Sequence, residues 1–244
     1  MELRPLQIGP LRVETPVVLA ALAGYSDLAY RLICRRLGAP YCLTEVMLDR
    51  SLLAGPKVLR RLCPTSPDDH PTGGQVMGRE PQEMARAARL LCELGFDVID
   101  LNFACPVRKA LSRRRGGYLM RDPERVIAIV RAVVAAADRP VTLKLRCGFA
   151  RGDGEAFWRI AEAAFDAGAA ALCVHARTVE AKYTGPADWA ILAAVKRRFP
   201  EGTIIGSGDV ARPADALRML AETGVDGVAA ARGALGNPWF FRQV

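Results

Sequence analysis

The chain has 244 residues, 51% of them apolar and 25% charged. This is ordinary globular usage; it excludes wholesale disorder, and the length allows a core that needs no disulfide or metal staple. Lys and Arg outnumber Asp and Glu by 34 to 26, a formal net charge of +8, which favours a polyanionic partner where the charge is clustered.

Short apolar runs alternate with longer segments of helical periodicity. In chain order, 17–20, 41–46 and 74–77 read as strands, and 85–94 as a helix closed by Gly95. Strand 98–102 precedes a helix over 126–134, which Asp122 caps and Pro123 opens. Strand 141–146 precedes helix 157–165 and the stop Gly168, and strand 171–175 precedes helix 189–195. Strand 203–206 precedes helix 214–220 and the stop Gly224, and strand 227–231 comes last. With no antiparallel hairpin signal, eight such runs predict a parallel sheet closed as an α/β TIM (β/α)8 barrel. No GxGxxG follows the first strand, which argues against a doubly wound dinucleotide fold. The expectation is one barrel over 1–244, its eighth helix a stub over 238–244.

The most apolar stretch, 126–137, carries Arg131 and is too short to cross a bilayer. Glu2, Arg4 and Pro5 stand where a secretory leader is basic and then apolar, so a cytoplasmic protein without membrane attachment is expected. The seven cysteines (34, 42, 63, 92, 105, 147 and 173) include no CxxC pair and no histidine at ligand spacing. Reduced thiols and no metal site follow.

A barrel places its active face at the C-terminal ends of its strands. The polar residues at those ends are Glu45, Gln75, Asn102, Lys144, Arg146, His175, Ser207 and Arg232. Each alone reads as a strand cap at the water boundary; together they read as a site. The last two strands run into Gly206-Ser207-Gly208-Asp209 and Ala231-Arg232-Gly233. Glycine lets backbone N–H groups approach an anion, and barrels often bind phosphate after strands seven and eight. A phosphorylated ligand is expected there.

Several motifs, in order and spacing, resemble the tRNA-dihydrouridine synthases. They are Ala21-Leu22-Ala23-Gly24-Tyr25-Ser26-Asp27, Asp100-Leu101-Asn102-Phe103-Ala104-Cys105-Pro106, Thr142-Leu143-Lys144-Leu145-Arg146, Val174-His175-Ala176-Arg177, Tyr183-Thr184-Gly185-Pro186 and Gly233-Ala234-Leu235-Gly236-Asn237-Pro238. The resemblance runs over nearly the whole chain. It implies an FMN on the barrel mouth, reduced by NADPH or NADH, and tRNA as substrate. Ala21, Leu22 and Ala23 lie against the flavin in the family pattern. Gln75, Lys144 and His175 match positions that contact its ring or ribityl chain. Ser207, Gly208, Asp209, Ala231 and Arg232 match those that hold its phosphate. Cys105 matches the catalytic acid, and Asn102, Arg146 and Tyr183 positions near the target base. The chain departs from the pattern in having Phe103-Ala104 before Cys105, Ser207 before Gly208 and Ala231 before Arg232. The expectation is a barrel without the helical RNA-binding domain that usually follows it in the family. A monomer is expected.

The chemistry suits these types. The uracil C5=C6 bond is conjugated to a carbonyl, so C6 accepts hydride and C5 then needs a proton. A thiol still protonated at neutral pH supplies one. The densest basic stretch follows Cys105 and holds Arg108, Lys109, Arg113, Arg114, Arg115 and Arg121; Arg113, Arg114 and Arg115 are expected to meet RNA. Lys196-Arg197-Arg198 reads as a solvated helix face. Two rival functions remain on the same residues: a flavin reductase of a free pyrimidine, and a degenerate RNA-binding barrel without chemistry.

Overall fold

Successive side chains of a β-strand face opposite sides, and this chain uses the two sides for two different cores. A computed structural model of the chain describes residues 3–244. Strands β1 (Leu6–Ile8) and β2 (Leu11–Val13) form an antiparallel hairpin. Eight parallel strands follow: β3 (Val17–Leu19), β4 (Cys42–Leu43), β6 (Thr72–Met77), β7 (Val98–Asn102), β8 (Val141–Arg146), β9 (Ala171–His175), β10 (Ile204–Ser207) and β11 (Gly227–Ala230). Pairing of β11 with β3 and of β4 with β6 closes them into a barrel. A short β5 (Met47–Leu48) lies beside the end of β6.

Helices α1 (Leu28–Arg36), α2 (Asp49–Leu52), α3 (Pro56–Leu62), α4 (Pro81–Glu93), α5 (Arg108–Leu111), α6 (Pro123–Ala136), α7 (Gly154–Asp166), α8 (Trp189–Arg198) and α9 (Pro213–Thr223) connect the strands. One side of each strand packs against them: Ile99, Leu101, Leu143, Leu145, Leu172 and Val174 share an outer core with Leu91, Val130 and Ile160. The other side faces the barrel axis, where Val18, Tyr41, Val98, Ala171, Cys173, Ile205 and Ala229 pack with Leu6, Ile8 and Val13 of the hairpin. Full burial of each larger aliphatic side chain contributes about 1.5–3 kcal/mol. The hairpin touches the starts of several strands. Leu6 packs on Gly227, Gly9 lies against Pro140 and Ala170, and Thr203 Oγ1 donates to the Gln7 carbonyl at 2.8 Å. It plugs the end where the strands begin and leaves the opposite end open.

The barrel and most of its strands follow the sequence pattern. The hairpin does not: its strands are only three residues each, although Gly9-Pro10 between two alternating triplets is a turn signal. Of the run expected over 41–46 only β4 forms as strand, and β5 begins just beyond it. Gln75 N–H donates to Thr44 Oγ1 in the gap, so a side chain replaces the ladder there. Asp122 caps α6 as expected, accepting from Arg125 N–H at 3.0 Å, and Gly95, Gly168 and Gly224 all end helices with positive φ. Among the described residues no helix is long and apolar enough to cross a membrane.

Candidate active site

Strand register decides which polar side chains meet at the open end. Asn102 pairs with Lys144 across β7 and β8, Lys144 with Cys173 and Arg146 with His175 across β8 and β9, and His175 with Ser207 across β9 and β10. Asp100 and Asn102, like Thr142, Lys144 and Arg146, are two residues apart and so share the inner face. A cavity of about 910 Å³ opens there, lined among others by Ala21, Leu22, Ala23, Gln75, Asn102, Cys105, Lys144, Arg146, His175, Tyr183, Ser207, Gly208, Asp209, Ala231 and Arg232. Its size is that of a cofactor or drug-sized ligand site.

Two of its polar atoms have no partner. Lys144 Nζ and His175 Nε2 are both shut off from water and make no hydrogen bond. Burial pulls the Lys144 ammonium below its usual range; the Cys173 thiol and Asp100 carboxylate oppose this only partly, and Arg146 adds to it. Burial, with Lys144, Arg146, Arg177 and Arg232 nearby, lowers His175 to about 2 and leaves its imidazole neutral. His175 Nδ1 lies 3.4 Å from Ser207 Oγ. Buried polar groups normally find partners, so these two nitrogens point to a polar ligand.

The far wall is built of backbone. Gly208 has φ +122, and a Cβ there would lie 2.8 Å from Ala187 Cβ; a Cβ on Gly233 would lie 2.5 Å from the Val210 carbonyl oxygen. Only glycine lets these loops close over an anion. Arg232 lies beside them, its guanidinium 4.6 Å from the ring centre of Tyr183. Arg177 ties this wall to the loop that carries Tyr183: it donates to the Gly185 carbonyl and to Asp209 Oδ1 at 2.6 Å, while Ala187 N–H donates to Asp209 Oδ2 at 2.6 Å. Tyr30 OH donates to the Ala234 carbonyl at 2.6 Å and holds the turn after Arg232.

Cys105 is half-buried at the mouth, on the turn that leaves β7. Asn102 Oδ1 accepts from the N–H groups of Ala104 at 3.1 Å and Cys105 at 3.0 Å, and Gly117 N–H donates to the Cys105 carbonyl at 3.0 Å. Burial pushes the thiol up, against the pull of the Val107 N–H and the Arg146 charge. The thiol therefore keeps its proton at neutral pH.

The family profile described as "Dihydrouridine synthase (Dus)" matches residues 18–244. The chain belongs to the dihydrouridine synthase family. It is 40% identical over 242 residues to tRNA-dihydrouridine synthase B of Xanthomonas campestris pv. campestris, covering 98% of this chain and 71% of that one. It is 36% identical over 239 residues to tRNA-dihydrouridine synthase B of Pseudomonas aeruginosa, again 98% and 71%. A probable tRNA-dihydrouridine synthase of Mycobacterium tuberculosis is 38% identical over 255 residues, covering 98% and 64%. A solved 2-naphthoyl-CoA reductase in complex with 2-naphthoyl-CoA superposes with a TM-score of 0.74 at 15% identity, over 98% of this chain and 51% of that chain. The chain thus spans about half the length of that reductase, and the likeness concerns the fold.

Of the residues singled out from the sequence for the site, Glu45 and the basic triplet lie off the cavity wall. Arg113 and Arg114 are exposed beyond α5. Arg115 is half-buried with its Nε shut off from solvent, and it acts electrostatically on the buried Asp49. Arg146 spends its guanidinium on the carbonyls of Ala104, Thr178 and Lys182, at 3.0, 2.8 and 2.6 Å. It shapes the mouth as much as it faces it. Tyr183 is 53% exposed and offers a ring face there, as does Tyr25 at 59%. Tyr25 and the buried pair Asp100 and Thr142 were not foreseen as part of the site. The signal for Asp100 was a carboxylate inside the otherwise apolar run 98–101. Glu45 sits behind the wall, accepting from the Gly24 N–H. Phe103 is fully buried in the outer core and does not narrow the mouth. Lys196 is not simply solvated: its Nζ donates to the carbonyls of Pro200 and Gly202 and to Asp226 at 2.9, 3.0 and 2.8 Å. No metal-binding cluster occurs among the described residues.

Proposed function

We propose that this chain reduces a uridine in tRNA to 5,6-dihydrouridine, with FMN seated in the cavity and NADPH or NADH as reductant. The observation that carries this reading is the pairing of two partnerless buried nitrogens, Lys144 Nζ and His175 Nε2, with a protonated thiol at the same mouth. FMN is a flavin ring, negatively charged when reduced, on a phosphate tail, and the residues fit both halves. Lys144, His175 and Gln75 hold the ring, while Ser207, Gly208, Ala231 and Arg232 cradle the phosphate. When bound, the reduced cofactor supplies hydride to C6 of the base. The Cys105 Sγ–H bond breaks, and its proton passes to C5. The resulting thiolate lies within the field of Arg146, which lowers the cost of that charge.

A stacked base cannot reach this mouth and is extruded into it. The ring faces of Tyr183 and Tyr25 receive it, Tyr183 being flanked by the guanidiniums of Arg146 and Arg232 at 5.5 and 4.6 Å. Arg113 and Arg114 meet phosphates beside it. In this reading the chain works as a cytoplasmic monomer.

The deciding experiment is the visible spectrum of the purified protein with FMN, followed by dihydrouridine counts in tRNA incubated with protein and NADPH or NADH. A flavin spectrum and new dihydrouridine are expected. Turnover of free uracil but not tRNA favours the small-molecule reductase, and colourless protein that binds tRNA favours the barrel without chemistry.

Changing Arg113 and Arg114 together to Ala removes two phosphate contacts. The slope of log K against log salt for tRNA binding is expected to become shallower by roughly 1.4–1.8, since each contact contributes about 0.7–0.9. An unchanged slope means that the loop is only solvated.

A further inference from the structure

Asp100 lies one layer below the mouth on β7, 1% exposed, and no role above uses it. A buried carboxylate is costly unless its lone pairs are engaged. Both oxygens are: Oδ1 accepts from Thr142 Oγ1 at 2.6 Å and Oδ2 from Gln75 Nε2 at 2.7 Å. The bonds continue upward. Asn102 Nδ2 donates to Gln75 Oε1 at 2.7 Å, and Asn102 Oδ1 accepts from the backbone of Ala104 and Cys105.

The far end of this chain of bonds fixes its direction. Backbone N–H groups only donate. Asn102 must turn its oxygen to Ala104 and Cys105, and therefore its NH2 to Gln75. Gln75 must answer with its oxygen, which turns its own NH2 to Asp100. Only an acceptor closes the sequence there. Each amide spends one N–H along the chain and keeps a second, and both residues line the cavity. The pair therefore leaves an N–H of each amide for the ligand, while both lone pairs of Asn102 Oδ1 and one of Gln75 Oε1 are taken within the chain of bonds.

We propose that Asp100 is a positioning residue that sets the polarity of Gln75 and Asn102, so that the cavity takes a ring edge carrying carbonyl oxygens and the Cys105 turn stays pinned at its rim. The isoalloxazine and uracil rings both have such an edge. The ligand's identity rests on the function proposed above, whereas the bond chain exists without it.

Three variants separate the polarity from a merely structural carboxylate. In Asp100→Asn the new carbonyl still accepts from Gln75, and the Thr142 hydroxyl turns to accept from the new NH2. In Asp100→Leu the chain has no terminus. In the double variant Gln75→Glu with Asp100→Asn the polarity is reversed: position 100 donates, and position 75 shows the cavity only acceptors. Asn102 still donates to it and still holds Cys105.

Two readouts are taken on the full chain: the FMN dissociation constant, and amide hydrogen exchange at Ala104 and Cys105 in the protein without FMN. Asp100→Asn is expected to stay within about threefold of wild type in both, and Asp100→Leu to lose roughly tenfold or more in both. The double variant is expected to keep its exchange protection while losing roughly tenfold or more in FMN affinity. The proposal is overturned if the double variant binds FMN like wild type, if it loses protection at Cys105, or if a folded Asp100→Leu matches wild type in both readouts. Should Asp100→Leu fail to fold, the other two variants still decide. Should wild type bind no FMN, the cofactor reading fails, and the exchange pattern alone tests the chain of bonds.

Discussion

Cys105→Ala is expected to leave FMN affinity within about twofold and to cut dihydrouridine formation by about 10²–10⁴-fold, the usual contribution of a positioned general acid. The side chain lost is small, and what its sulfur gives up is the pull of the Val107 N–H. The turn is held by backbone atoms, the Cys105 N–H on Asn102 Oδ1 and the Cys105 carbonyl on Gly117 N–H. The substitution thus removes a proton and little else. The pH profile carries the same information. Because burial raises the thiol above its ordinary value, the donor form persists through neutral pH, and the rate falls only as pH rises through that raised pKa. In the Ala variant this alkaline limb disappears along with the rate. Cys105→Ser restores little, since an alkyl hydroxyl is a far weaker acid than a thiol. The checks are dihydrouridine counts per tRNA at saturating FMN and the flavin absorbance of each variant. Wild-type turnover in Cys105→Ala removes the thiol from the reaction.

The barrel was legible because alternation on its inner strands is clean: Leu143 and Leu145 face helices while Thr142, Lys144 and Arg146 face the axis. A charged residue repeated at period two in a buried strand has few explanations other than a site. Cys105 was legible through its motif and Lys144 through its placement. Asp100 was not, because a mid-strand carboxylate says nothing of its partners until register brings Gln75 and Thr142 beside it. The basic loop was misleading in another way. Arg113, Arg114 and Arg115 look equivalent in sequence, yet Arg114 takes a left-handed backbone with φ 54, after which Arg115 is partly buried towards Asp49 while its neighbours stay in water. Adjacent charges diverge wherever the backbone turns between them. The hairpin at the closed end was missed for want of length, since three residues are too few for a period to show.

Lys144→Met is expected to stabilise the protein without FMN and to impair it with FMN. In the empty cavity the Lys144 ammonium is buried with no hydrogen-bond partner, and an uncompensated buried charge destabilises the fold. Methionine keeps most of the stem's packing and removes the charge. The gain is about 1–2 kcal/mol, offset in part because Asp100 loses a cation that steadies its carboxylate. The sign can be checked against pH. Burial holds the folded-state pKa of Lys144 below its ordinary value of 10.5. Between the two values the unfolded chain binds the extra proton, so wild-type stability rises with pH across that window. The variant's advantage is therefore largest below the lowered pKa and shrinks as pH climbs toward 10.5. With FMN the balance reverses. The same ammonium stands where negative charge gathers on the reduced ring, and loss of one preorganised charge at such a place slows reaction by about 10²–10³-fold. Urea unfolding of the FMN-free protein and stopped-flow bleaching of the flavin by NADPH measure the two effects separately. A variant that unfolds more readily than wild type and bleaches at the wild-type rate would make Lys144 a packing residue and detach it from the chemistry of the mouth.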